Sequence, residues 1–293
     1  MIILSILSIY FGNIQVARAS NFTIRGISLP LEEAIPSFQK AYEISPTSKT
    51  EIPENLSRRI IDLAIQAGQN PTQQQKEILT SGFKSVEEYF QESIKKSPLD
   101  FRLYLFFGEY YRNTYQLTQN KEFINLSEQV LRKAMQLSPK NQQIYWGLGQ
   151  TLLMEGKNDE SIDLFQKAVN FEPRLAQSHW FLFLVSKVNQ KYELAGQEFK
   201  KATELGINWK GNLDYLKQVV DFYQKIGDVD SLIFTLEDGV KVFPEDTFLW
   251  SSLADAYALA NQKEEAREAA QKLLELNPEL KPKVDQFLKA LED

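Results

Sequence analysis

The sequence predicts an all-α chain, a right-handed helix-turn-helix solenoid entered by an apolar helix and closed by a capping helix. Three observations predict it. Prolines recur at a fixed interval late in the chain: 34 residues separate Pro139 from Pro173, and 34 separate Pro244 from Pro278. The interval from Pro173 to Pro244 is 71, close to two periods with a small insertion. Each of these prolines closes an apolar-periodic run (LRKAMQLSP, FQKAVNFEP, LEDGVKVFP, AQKLLELNP), so each period holds two amphipathic helices that must stack on their neighbours to bury their apolar faces.

Composition narrows the chemistry. The 293 residues carry 33 Lys+Arg against 39 Asp+Glu, a formal charge of −6. That acidic balance argues against a nucleic-acid partner, whose footprint is basic. There is no Cys, which excludes disulfides, thiolate metal sites and cysteine nucleophiles, and one His, which excludes a multi-histidine metal centre. No Gly-rich phosphate loop, nucleophile elbow or zinc signature occurs. The expectation is a protein that works by contact, without cofactor, metal or catalytic residues.

Residues 1–17 form the first element. Met1 to Gly12 is uncharged and almost wholly apolar, and the first charge is Arg18. A helix over these residues spans roughly 26 Å, slightly short of a bilayer core. A single anchor, the end of a longer spanning helix, and a secretory signal cleaved after Ala17-Arg18-Ala19 all fit, the last without its usual basic start. Arg18 and Arg25 lean toward a cytoplasmic repeat domain and the cleavage form leans outward, so the side stays open and a secreted product remains the alternative.

Residues 18–100 read as looser repeats. Leu31 to Pro46 has Ala34, Phe38 and Ala41 at helical spacing, with a partner helix over 17–27 and Pro36 near the helix start. A pair over 52–67 and 83–96 follows, the Gln-rich stretch 69–76 being an inserted loop or a helix start. Residues 101–280 form the regular array. Its first unit carries about seven extra residues around Leu117 to Asn120, expected to lengthen the turn. Residues 281–293, with Val284, Phe287, Leu288 and Leu291 on one face, form the capping helix.

The best unit, Gln142 to Leu175, places Tyr145, Leu148, Gly149 and Leu152 in its first helix, Gly156 at the turn, and Ser161, Phe165, Ala168 and Pro173 in its second. The unit at Thr247 offers Trp250, Leu253, Ala254, Tyr257, Ala266 and Pro278; the one at Phe101 offers Tyr104, Phe107, Gly108 and Tyr111. Two degenerate units, one with His179 and one with Leu216, lie between. These residues resemble the tetratricopeptide repeat family, whose pattern is W-x2-L-G-x2-Y in helix A and A-x3-F-x2-A then Pro in helix B. The alternation has a physical sense, since small residues let helices cross closely and large ones fill the gap.

The resemblance implies a protein or peptide ligand held on a concave groove of A helices. Carrying those positions over gives Arg102, Leu105, Glu109 and Arg112, then Gln143, Trp146 and Gln150. Gln177, Trp180, Leu184 and Lys187 follow, and then Asp214, Lys217 and Asp221. Trp146 and Trp180 share a repeat position and are expected to stack in neighbouring rows, as an exposed hot spot or as inter-repeat packing. His179 holds a packing aromatic's place and reads as structural. Acid pairs Glu32-Glu33, Glu87-Glu88 and Glu264-Glu265 suit early helix turns rather than acid–base work. The sequons at Asn21, Asn55 and Asn125 are near chance. The first fifty residues, an apolar span running into LEEAIPSFQKAYEISP, also resemble the C-terminal region of bacterial O-antigen ligase or polymerase-like membrane proteins. That resemblance implies a detached repeat domain serving polysaccharide transfer.

Overall fold

The computed structural model describes residues 14–45, 50–68 and 70–292. Among them there are fifteen α-helices and no strand. They form two compact units, residues 1–171 and 172–293.

The first unit holds four helix pairs: α1 (Gln15–Ser28) with α2 (Leu31–Ile44), α3 (Glu51–Ala67) with α4 (Gln73–Lys96), α5 (Phe101–Thr118) with α6 (Lys121–Leu137), and α7 (Gln142–Met154) with α8 (Asn158–Phe171). The second holds three, α9 (Ala176–Val188) with α10 (Tyr192–Glu204), α11 (Leu213–Ile226) with α12 (Val229–Val242), and α13 (Thr247–Leu259) with α14 (Lys263–Leu276). A short 3-10 turn, Pro278–Leu280, then leads to the capping helix α15 (Lys281–Ala290).

Helix starts follow from local chemistry. The side chains of Asp100, Asn120, Asn141, Asn212, Asp228 and Asp246 each accept a hydrogen bond from a backbone N–H in the first turn they precede. The Gln-rich stretch is a helix start, not a loop: the Thr72 hydroxyl accepts from Gln75 N–H while Gln75 Oε1 accepts from Thr72 N–H, so α4 begins at Gln73. The extra residues near 117–120 likewise lengthen helices rather than the turn. α5 has 18 residues and α6 has 17, joined through Gln119 in the left-handed region. Pro36 lies deeper in α2 than its first turn, at the sixth position, where it removes one ladder donor. The tight A–B turns put Gly156 and Gly227 at φ 77° and 71°, but the equivalent Gln190 and Asn261, both at φ 58°, have no glycine to ease them.

Within pairs, the small residues do what their spacing predicts. A Cβ on Gly149 would lie 2.7 Å from the Phe165 ring, and one on Gly108 would lie 2.5 Å from Leu131 Cγ. The same close approach lets the Ser161 hydroxyl donate to Gly149 O (2.7 Å) and the Ser127 hydroxyl donate to Gly108 O (2.8 Å). These bonds satisfy buried hydroxyls across the helix pair.

Between periods, a second regularity explains the prolines. The polar tip of the fourth residue of helix A donates to the carbonyl of the proline six residues earlier: Tyr104 to Pro98 (3.1 Å), Tyr145 to Pro139 (2.8 Å) and Trp250 Nε1 to Pro244 (2.8 Å). His179 Nε2 makes the same contact with Pro173 O at 3.0 Å, and its Nδ1 meets Glu198 Oε2 at 2.6 Å. The one histidine is a 5 % exposed packing residue, as its repeat position implies.

The core of residues 34–111 is an aromatic seam. Phe90 stacks on Phe107 (4.8 Å), Tyr42 stacks on Tyr89 (4.3 Å), and Tyr42 O–H shares a hydrogen bond with Ser93 at 3.0 Å. Burial, then Glu43 and Glu88, pushes the Tyr89 phenol up to about 12, and burial also raises Tyr42, Tyr110 and Tyr111. Because these phenols hold their protons more tightly folded than unfolded, their stabilisation is complete below pH 10 and is lost as pH rises toward 12. An alkaline titration that follows tyrosinate absorbance and helicity together should show the buried phenols ionising only as the helices melt. Full tyrosinate formation in a still-helical chain would contradict it.

Candidate functional site

The A helices α5 and α7 bring six of the sequence-predicted residues into one region of the first unit. Successive A helices α3, α5 and α7 pack directly on one another. The Arg112 guanidinium of α5 reaches the Gly147 carbonyl of α7 at 3.4 Å. Arg102 and Gln143 are exposed, whereas Glu109, Arg112, Trp146 and Gln150 are half-buried. Arg102 is held at the N-terminus of α5 by Asp100 (2.8 Å), whose carboxyl this pair, with Thr50, keeps below its usual range. Glu109 lines a small recess of about 190 Å³ with Glu54, Arg58 and Asn113. Burial pushes the Glu109 carboxyl up against the opposing pull of Arg112 and Arg58, and burial likewise weakens the Arg112 guanidinium's hold on its proton. A desolvated acid and a desolvated base thus share one face, where a polar partner can replace the missing water. Leu105, carried to this face by the repeat pattern, is core instead, at 1 % exposure.

In the second unit the expected groove residues become ties between helices. Trp180 is fully buried, not an exposed hot spot; it stacks on Tyr215 (4.4 Å) and packs on Phe183 (5.0 Å). Lys187 is 2 % exposed. Its ammonium donates to Asp221 Oδ2 (2.7 Å), Gln218 Oε1 (2.7 Å) and Gln218 O (3.1 Å), joining α9 to α11. Burial lowers its proton affinity, and the Asp221 bond restores part of it. For Asp221, burial works to raise the carboxyl, but hydrogen bonds from Lys187 and Lys225 outweigh it and hold it low. Gln177 Nε2 donates to Tyr215 O–H (3.2 Å), and Lys217 pairs with Asp246 at 2.8 Å. Only Asp214 is exposed without being one of these ties, and Leu184 packs at the edge of the core. The reason for the correction is steric: at these positions the adjoining A helix lies within reach and covers the side chain.

The sequence reading missed a cleft of about 960 Å³ between α10 and the α11–α12 pair, floored by Phe199, Trp209 and Phe222. Phe234 is 60 % exposed at its edge, with Lys210 Nζ 5.2 Å above the ring. The sequence sign of it was the 71-residue interval, whose surplus lies in the loop between α10 and α11. The described residues hold no cluster of His, Cys, Asp and Glu able to bind a metal.

This architecture is that of a helix-pair repeat protein whose A helices present a polar face. Residues 125–178 and 247–280 each match a family model described as tetratricopeptide repeat. Together with the structural likeness, they support the tetratricopeptide repeat family. The fold is similar to that of Pseudomonas aeruginosa pilF, at 15 % identity over 79 % of this chain and 91 % of that one (TM-score 0.53). It is similar also to MamA, at 18 % identity over 62 % and 94 % (TM-score 0.51). A third likeness is YrrB, described as a TPR protein with an unusual peptide-binding site, at 18 % over 64 % and 92 % (TM-score 0.50). At these identities the likeness shows the fold alone. No curated protein sequence matches the chain. The likeness to O-antigen ligases has no counterpart among these matches.

Proposed function

We propose that the chain is a non-enzymatic scaffold that binds a protein or peptide on its A-helix face, using Arg102, Glu109, Arg112, Gln143, Trp146 and Gln150. One observation carries this reading: α5 and α7 lie side by side, so charged and amide side chains from two successive repeats converge on one partly desolvated strip. The family's use of its A helices for peptide ligands supports it. In the second unit the same reading leaves Gln177, Lys217 and Asp221 as partly exposed flanks, with Trp180 and Lys187 beneath them in supporting roles.

A photo-crosslinking amino acid tests the face without disturbing the fold. Placed at Gln143 in the native host, it should give a discrete adduct, and placed at the exposed Lys167 of α8 it should give none. Equal capture from both positions would overturn the assignment. A Trp146→Ala/Trp180→Ala pair is unsuitable as a binding test, because Trp180 is core.

The proposal includes a membrane tether through residues 1–17. Of these, residues 1–13 lie outside the described residues, and 15–17 open α1. Among the described residues no helix is long and apolar enough to cross a membrane. The tether is supported by the uncharged run before Arg18. Alkaline extraction of host membranes checks it: the chain should stay in the pellet, and release of a chain beginning at Ser20 would favour a cleaved, secreted product.

A further inference from the structure

Helix α1 has two faces of different character. Ala19, Thr23 and Gly26 are buried, and Gly26 lies so close to Phe38 that a Cβ there would meet the ring at 2.9 Å. Arg59 of α3 donates to the carbonyls of Gly26, Ile27 and Leu29, the last at 2.8 Å, which pins the end of α1 to the unit. The opposite face is therefore presented rigidly. It carries exposed Ile24 (60 %), Arg18 and Arg25, with Ile14 (48 %) just before the helix, and exposed Ile27 (45 %) lies at its margin. Three exposed isoleucines within fourteen residues leave this helix with apolar surface that no other described helix covers.

Two further facts identify the occupant. Residues 1–31 contain both of these arginines and no acid, in a chain whose net charge is −6. Among the described residues, neither arginine forms an ion pair; Arg25 lies over the Phe22 ring at 5.9 Å. In sequence, α1 follows the uncharged apolar run of Met1 to Gly12. Apolar side chains flanked by arginines, at the exit of an apolar run, match the boundary of an anionic bilayer, where isoleucines enter the acyl edge and guanidinium groups meet phosphates. We propose that the Ile24–Ile27 face of α1 docks on an anionic membrane surface, so that the first repeat is laid against the bilayer rather than dangling from it. This rests on the tether through residues 1–17 and adds the orientation of α1 to it.

The absence of cysteine makes the test clean. In the full chain, Asn21→Cys supplies a single thiol on the exposed face for an environment-sensitive fluorophore, and Asn170→Cys on α8 supplies the control. Vesicles of phosphatidylcholine alone are compared with vesicles that also contain phosphatidylglycerol, and flotation is measured on the same samples. The Asn21 probe should shift to the blue and be quenched by lipid-borne quencher only on the anionic vesicles, while the Asn170 probe stays unchanged. Arg18→Gln/Arg25→Gln should weaken the docking equilibrium roughly 30-fold, and Ile24→Gln/Ile27→Gln should abolish the shift, both with helicity retained. A chain that floats without an Asn21 shift leaves the tether standing and overturns the docked face. A shift present before vesicles are added assigns the face to another part of the chain or a second copy, and overturns it too. A chain that never floats removes tether and docking together.

Discussion

Trp180→Ala is expected to destabilise the second unit by about 3–5 kcal/mol, the usual cost of deleting a large aromatic from a packed core. The indole is fully buried and touches rings from three directions: Phe183 at 5.0 Å, Phe199 at 6.4 Å and Tyr215 at 4.4 Å. These rings belong to α9, α10 and α11, so truncation opens a cavity at the junction of two repeats. Trp180→Phe should recover most of the loss, because its Nε1 has no hydrogen-bond partner in the described structure and its removal strands nothing. Denaturant melting followed by fluorescence of Trp209 and Trp250 reads both variants. A Trp180→Ala protein of unchanged stability that loses its ligand would restore the indole to the binding face.

The second large effect is an asymmetry at the Lys187–Asp221 pair. Asp221→Ala should cost about 2–3 kcal/mol, because it leaves a buried ammonium with only the neutral Gln218 amide and the Phe183 ring among its described contacts; the loss is smaller than for a fully enclosed pair because the carboxylate is 38 % exposed. Lys187→Met should stay within about 1 kcal/mol of the parent. It removes the desolvated charge and fills the same volume, while Asp221 keeps Lys225 at 2.9 Å and turns to water. Measured by the same melts, equal losses from the two substitutions would show that the pair itself, rather than the stranded charge, sets the stability.

Much of the fold was legible because its rules are local. The proline interval and the glycines at crossings are each read from a few neighbouring residues, and each has its counterpart in the helix pairs. The last repeat, around Trp250 and Ala266, needed nothing more. The lengths of α4 to α6 were less legible. A Gln-rich run or a stretch such as Leu117–Asn120 carries no strong breaker, and whether it continues a helix depends on the capping bonds at Thr72 and Asn120. The left-handed turns at Gln190 and Asn261 were hidden for a related reason, since neither residue advertises the conformation that its surroundings impose.

The candidate face divides along the same line. The sequence by itself determined which helices are A helices, which residues share each repeat position, and that the chain carries no thiol, no histidine cluster and a net acidic charge. Only the tertiary structure decided which of those equivalent positions meet water. Trp146 and Trp180 occupy the same place in the repeat, yet one is half-buried and the other fully enclosed, because Tyr215 from the next A helix closes over Trp180. Repeat position fixes the direction of a side chain from its own helix axis; whether it meets water depends on which side chains of other helices reach over it, as Tyr215 reaches over Trp180, and that is a property of packing between segments apart in the chain.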